Sequence, residues 1–240
     1  FRSRVSKEAK DMGYISVSHD LIYGLPDSSI EDWQNNIQQA LKLNPEHISA
    51  YNLTIETGTP LAHLVSKGRV SIPSDDEVVL QHNLLVDLLS KAGFEHYETS
   101  NFAKQGFRSK HNSSYWKGIH YLGFGPSAHS FNGTSRSWNI ANTKKYVDLI
   151  RENKTHFESE TLSLIDRINE FIMTGLRTVE GIDLNHFENN FGKKRFTYTA
   201  NFSLKPPIYT SCFSCSMAFI RSFENALLVK PFLVALSILF

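Results

Sequence analysis

Cysteine is almost missing from this 240-residue chain, with Cys212 and Cys215 as the whole complement. Two thiols exclude a disulfide-dense secreted scaffold and point to a reducing, cytoplasmic setting. An excess of charge of one sign is missing as well. Lys and Arg number 25 against 24 Asp and Glu, a net charge of +1, so no global field draws the chain to nucleic acid or acidic lipid. The opening Phe1-Arg2-Ser3-Arg4-Val5-Ser6-Lys7 has neither an initiator Met nor the apolar core of a signal peptide, and it runs directly into what reads as the second half of a helix. A piece of a longer protein is expected. The most apolar stretch, residues 225–240, is broken by Lys230 and Pro231 and falls short of the roughly 20 residues that span a bilayer, so no transmembrane segment is expected. No internal repeat is visible.

What is present suffices for one full core, or for a domain with a smaller companion: 41% of residues are hydrophobic and 20% charged. A helical pattern over Ser6 to Met12 is stopped by Gly13, and a strand is expected from Tyr14 to Tyr23, ending at Gly24-Leu25-Pro26. Ser28-x-x-Glu31 reads as a capping box for a helix whose Trp33, Ile37 and Leu41 share one face, and His47 to Leu53 reads as the next strand. Strand, helix, strand predicts a parallel α/β sheet. A short helix after Thr59-Pro60, a longer one capped by Ser74-x-x-Glu77, and a strand over Phe94 to Phe102 follow. Residues 103–142 are loop-rich and aromatic. Helical periodicity returns at Lys144 to Arg151 and Thr161 to Leu176, with Asp183 placed to cap a last short helix. Beyond Phe196 the composition turns to Phe, Ser, Leu and Pro with few charges, so residues 197–240 are expected to be an atypical tail, as from a frameshift or a mispredicted exon.

Four constellations carry candidate chemistry. Asp20, in Asp20-Leu21-Ile22-Tyr23-Gly24-Leu25-Pro26, stands on a strand approaching the carboxyl end of a parallel sheet, where ligands of α/β folds bind. It can accept hydrogen bonds from ribose hydroxyls or an amino group, or equally pair with a cation on a neighbouring strand. Glu56, in Glu56-Thr57-Gly58-Thr59-Pro60, can face a ligand, but a helix start accounts for most of that pattern. His111-Asn112-Ser113-Ser114-Tyr115-Trp116, preceded by Tyr97-Glu98-Thr99-Ser100-Asn101-Phe102-Ala103, sets an imidazole beside large aromatics that can pack on a porphyrin. Taken alone, those residues favour a buried imidazole satisfied within an aromatic mini-core. Gly123-Phe124-Gly125-Pro126-Ser127-Ala128-His129-Ser130 allows close backbone approach to a ligand, with His129 and Ser130 as polar groups, but it lacks the marks of a Rossmann or phosphate-loop fingerprint. His111, His120 and His129 are evenly spaced without a zinc-like arrangement. Cys212-Phe213-Ser214-Cys215 is an isolated pair in the atypical tail.

Taken in order over roughly Val5 to Arg195, these motifs resemble the HemW-type haem chaperones of the radical SAM family around oxygen-independent coproporphyrinogen III oxidase. The resemblance implies the C-terminal part of a partial (β/α)6 radical SAM barrel over residues 1–142 and a small, mainly helical domain over 143–196, the latter suggested by Gly175-Leu176-Arg177-Thr178 and Glu180-Gly181-Ile182. It implies S-adenosylmethionine at Asp20, Thr54 and His129, haem at His111, and a [4Fe-4S] cluster. It also implies haem and membrane-associated haem proteins as partners. The function it suggests is haem trafficking, the role attributed to the chaperones. Coproporphyrinogen III oxidation in porphyrin biosynthesis is the alternative, and an unrelated barrel with purely architectural motifs is a third reading.

One feature of the family is absent: no C-x-x-x-C-x-x-C loop occurs, although three thiolates are needed to hold three irons and leave a fourth open. Anaerobic reconstitution of this chain with iron and sulfide is therefore expected to give no reducible [4Fe-4S] signal in EPR; such a signal would overturn the assignment of the cluster ligands to another segment.

Overall fold

The computed structural model describes residues 2–192; the stretch 193–240, with the atypical tail, the apolar segment 225–240 and both cysteines, lies outside them. Among the described residues the architecture is mixed α/β and divides after Phe94 into two units.

The first unit contains α1 (Arg2–Asp11), β1 (Ser18–Tyr23), α2 (Ile30–Lys42), β2 (His47–Asn52), α3 (Pro60–Ser66) and α4 (Asp75–Lys91). β1 and β2 pair in parallel with Ser18 opposite His47 and Tyr23 opposite Asn52, the geometry expected of strands joined by a helix. β1 starts four residues later than the periodicity suggested, because Tyr14 and Ile15 are 63% and 85% exposed and have no layer to pack against. α2 buries Trp33, Ile37 and Ala40, and α4 buries Leu85 and Leu89. The two helices pack together, and the indole Nε1 of Trp33 donates to the Gln81 carbonyl at 2.9 Å. The capping box of α2 lies one residue beyond its expected place: Ser29 Oγ accepts from Asp32 N–H and the Asp32 carboxylate accepts from Ser29 N–H. The turn runs on through Asp27, at φ 54°, and this extra residue shifts the helix start. Ser74 and Glu77 cap α4 as expected.

At the end of β1, Gly24 is held at φ 72°, and its N–H donates to the Gln81 side-chain oxygen at 2.8 Å. A β-carbon there would run into the Asn52 side-chain oxygen.

The second unit contains β3 (Glu95–Glu98), β4 (Asn101–Ala103), α5 (Lys110–Trp116), β5 (His129–Phe131), β6 (Ser135–Asn139), α6 (Thr143–Arg151), β7 (Phe157–Thr161), α7 (Leu164–Arg177) and α8 (Leu184–Phe191). The single strand expected over Phe94 to Phe102 is instead an antiparallel pair, with Glu95 opposite Ala103 and the register shifting between His96 and Glu98. The Glu98 carboxylate causes the reversal, because it accepts from Ser100 N–H at 3.1 Å and from the Asn101 side-chain amide at 2.5 Å. β5, β6 and β7 form an antiparallel sheet in that order. β7 falls after the expected boundary at 142/143 and pairs with β6 before it. α7 and α8 close around Phe171, Phe187 and Phe191, with the His186 ring stacked on Phe171 at 5.3 Å. Asp183 caps α8 as its sequence suggested.

Gly24→Ala is expected to destabilise the first unit by about 1–3 kcal/mol, since the substitution combines an unfavourable φ with a clash. Urea unfolding of the full chain measures it, and an unchanged midpoint would remove Gly24 from the list of constrained positions.

Candidate functional site

α5 is a two-turn helix that carries the His111-Asn112-x-x-Tyr115-Trp116 motif, and three attachments fix it. Ser109 caps it by accepting from Asn112 N–H, and Ser109 N–H itself donates to the Tyr97 hydroxyl at 3.2 Å. The Asn112 side-chain amide donates to Asn101 Oδ1 at 3.0 Å. Trp116 lies under the Arg177 guanidinium, whose carbon is 4.7 Å from the ring centroid.

Arg177 and Asn101 meet on Glu98. The Glu98 side chain has no exposed surface; its Oε1 accepts from Arg177 Nη2 at 2.7 Å and Nε at 3.1 Å, while Oε2 takes the Ser100 and Asn101 donors. Arg177, from the end of α7, is itself 13% exposed. The Tyr97 to Ala103 motif and half of the His111 motif therefore form one buried polar network. A buried carboxylate is tolerable only when its acceptor sites are filled, and here both oxygens are.

The other half of the motif faces outward. His111 is exposed, and its Nε2 lies 3.3 Å from the Tyr115 hydroxyl, the rings meeting edge-on at 5.1 Å. The buried imidazole favoured by the motif alone is thus not what forms: the helix turns Asn112 and Trp116 inward and leaves His111 on the surface. Tyr115 packs edge-on against Tyr121 at 5.0 Å, and Tyr121 against Phe131 at 6.0 Å, with backbone hydrogen bonds of 3.0 and 2.9 Å joining Tyr121 and Phe131. The result is a row of flat rings beginning at an accessible imidazole. Arg136 lies over Phe131 at 5.9 Å and pairs with Glu170 at 2.9 Å. Burial raises the Tyr121 phenol above its ordinary range, and it holds the Glu170 carboxyl high despite Arg136. Ile119, Leu122 and Phe124 stand exposed in the adjoining loop. Such a face suits a flat, apolar macrocycle with an iron at its centre.

The glycine loop is braced from within. Gly123 N–H donates to Ser130 Oγ at 3.0 Å, Gly125 N–H to the Tyr146 hydroxyl at 3.2 Å, and the Asn139 amide to the Gly125 carbonyl at 2.8 Å. A β-carbon at Gly123 would collide with the His129 carbonyl, so glycine serves close packing there. Ser130 is thereby spent on the loop itself. His129, on β5, keeps a buried Nδ1 with no hydrogen-bond partner, and burial together with Arg136 lowers its pKa. An orphaned buried nitrogen in an otherwise satisfied loop is a place where a ligand group fits.

The positions implied for S-adenosylmethionine fall in both units. Asp20 is exposed midway along β1, opposite Ser49, and Thr54 is exposed two residues beyond the end of β2 rather than on that strand. Glu56 serves α3 through its backbone, its carbonyl accepting from the Thr59 hydroxyl at 2.7 Å. An exposed carboxylate and hydroxyl suit hydrogen bonding to a nucleoside. The cluster is different: among the described residues no group of three or more His, Cys, Asp or Glu could hold a metal ion, so these residues do not fit a [4Fe-4S] centre. No described helix is long and apolar enough to cross a membrane.

Residues 162–206 match the HemN C-terminal domain family, a span that starts just before α7 and continues past residue 197. Over 188 residues the chain is 33% identical to the heme chaperone HemW of Bacillus subtilis, covering 78% of this chain and 50% of that protein. It is 38% identical over 143 residues to heme chaperone HemW of Mycobacterium tuberculosis, covering 60% of this chain and 37% of the relative. The chain is similar to the HemW-type proteins. It spans about half the length of the curated relatives it matches. The chain also shares its fold with the Escherichia coli radical SAM enzyme coproporphyrinogen III oxidase, HemN, at a TM-score of 0.67 and 20% identity, over 84% of this chain and 49% of that one.

The sequence pointed to His111 and set it beside Tyr115 and Trp116, but not to the distant partners that set its surroundings. Tyr115 was signalled by its i, i+4 spacing from His111. Arg177 stood in a motif without a stated role, and nothing in the sequence pointed to Arg136 or Glu170. Glu98→Ala, which removes the buried carboxylate that the Arg177 guanidinium donates to, is expected to cost about 3–5 kcal/mol. In a double-mutant cycle with Arg177→Ala, thermal unfolding should return a coupling of roughly 1–3 kcal/mol; additive losses would mean that the pair does not act as a unit.

Proposed function

We propose that this chain supplies the haem-handling part of a haem-trafficking protein: it binds haem on the α5 face and passes it to haem-protein acceptors, membrane-associated ones among them. The observation that carries this reading is the exposed His111 at the head of the Tyr115, Tyr121 and Phe131 row. An enzyme that encloses its substrate has no need of an imidazole on an open surface, whereas a carrier must take its cargo from one protein and yield it to another. The names of the relatives agree with the carrier reading. For coproporphyrinogen III oxidation the support is a shared fold at 20% identity, which fixes architecture and not chemistry. Within the whole protein, Asp20, Thr54 and His129 are the residues we assign to S-adenosylmethionine, with the cluster held by cysteines of another segment.

What the chain's own residues do follows from their placement. Glu98, Asn101 and Arg177 keep α5 in one orientation, His111 and the aromatic row present the surface for the macrocycle, and the exposed Asp20 carboxylate accepts hydrogen bonds from a nucleoside. Haem, when bound, supplies an iron that accepts a ligand from this face.

Titration of the full chain with ferric haem is expected to shift the Soret band, and His111→Ala is expected to weaken binding at least about tenfold. No shift with the parent chain would end the carrier reading, and vinyl formation from coproporphyrinogen by the full-length protein would transfer the assignment to the oxidase.

A further inference from the structure

The haem reading leaves open which atom of the α5 face meets the iron, and the geometry points to the Tyr115 hydroxyl oxygen, with His111 as its positioning partner. This inference rests on the haem reading. Nε2 of His111, one of the two nitrogens an imidazole can offer a metal, is already engaged, 3.3 Å from the Tyr115 oxygen. The two side chains are one helical turn apart on a shared face, and both lie at the surface end of the aromatic row. While that pair persists, the imidazole meets the phenol through one of the two nitrogens with which it could reach the iron. The phenol oxygen, which can donate one hydrogen bond and accept others, still has capacity for a further partner.

The backbone beneath the pair is fixed. The cap at Ser109, the Asn112 to Asn101 hydrogen bond and the seat of Trp116 under Arg177 lock the helix that carries it. The Tyr121 ring then abuts Tyr115 edge-on at 5.0 Å, 71° from its plane. A phenol ligates ferric iron as its anion, and the neighbouring base receives the proton. The Tyr115 O–H bond breaks, the proton moves to His111 Nε2, and an Fe–O bond forms, with the iron Fe(III) throughout and no electron transferred. The resulting imidazolium donates to the anionic oxygen in a charge-assisted hydrogen bond, stronger than the neutral pair it replaces. Tyrosinate is an established donor to haem iron in proteins generally.

Resonance Raman spectroscopy of the full chain loaded with ferric haem tests the assignment. The expected result is a visible phenolate-to-iron charge-transfer band with enhanced phenolate ring modes in the parent chain. Tyr115→Phe should lose both and bind haem at least about tenfold more weakly, while Tyr121→Phe keeps them. The parent spectrum reads the donor without requiring any variant to fold. An imidazole-ligated spectrum in the parent, unchanged in Tyr115→Phe, overturns the Tyr115 assignment and leaves the haem reading standing. Phenolate modes that survive Tyr115→Phe but vanish in Tyr121→Phe overturn it in the same way. A parent chain that shifts no Soret band overturns the haem reading, and this assignment falls with it.

Discussion

A carboxylate with no exposed surface must find all its hydrogen-bond donors inside the protein, and Glu98 imposes that requirement on the second unit. Its two oxygens collect Ser100 N–H, the Asn101 amide and the Arg177 guanidinium, which come from the β3–β4 turn and the end of α7. Asn101 passes the constraint to Asn112, and Arg177 passes it to Trp116. The hairpin, α5 and α7 are thereby held in one arrangement. Burying an ion pair returns little net stability compared with apolar packing. Its value here is specificity: an apolar side chain in place of Glu98 would fill the space but would not orient Asn101 or Arg177. An ion triad nearer the surface reinforces the same region, where Arg108 bridges Glu95 and Glu180 over the Tyr97 ring.

The His111 motif is best understood as two interleaved i, i+4 pairs on one short helix. Asn112 and Trp116 share the face turned to the network; His111 and Tyr115 share the neighbouring face turned outward. An α-helix advances about 100° per residue, so adjacent positions in such a motif point different ways. Architectural and chemical readings of the motif therefore do not compete: each takes half of its residues. The glycine loop divides similarly, its glycines and Ser130 serving the loop and His129 left with an unsatisfied buried nitrogen.

The relatives named heme chaperone HemW are about twice the length covered here, and the cluster-binding thiolates of a radical SAM centre have no counterpart among the described residues. The surface built by α5, the Tyr121 to Phe131 bridge and Arg136 draws on no residue of the first unit. Haem handling and S-adenosylmethionine chemistry are, on this reading, assigned to largely different sets of side chains, with His129 the one residue of the second unit attached to the latter.

Local patterns decided a good deal. The spacing of Trp33 and Ile37, the Ser74 to Glu77 box and the Asp183 cap each express an interaction spanning only a few residues, and the helices form where those signals stand. The parallel pairing of β1 and β2 followed from the helix between them. The ordered motifs carried the resemblance to the HemW-type proteins. Where a partner is distant in sequence, the pattern was silent. The reversal at Thr99-Ser100 depends on donors gathered around Glu98, and the pairing of β6 with β7 depends on a strand that lies beyond a helix. Whether His111 is buried or exposed was likewise decided by contacts from Asn101 and Arg177, 10 and 66 positions away in the numbering. Sequence fixes interactions whose partners are neighbours along the chain; burial, charge pairing and the direction of a functional side chain belong to partners that only folding brings together.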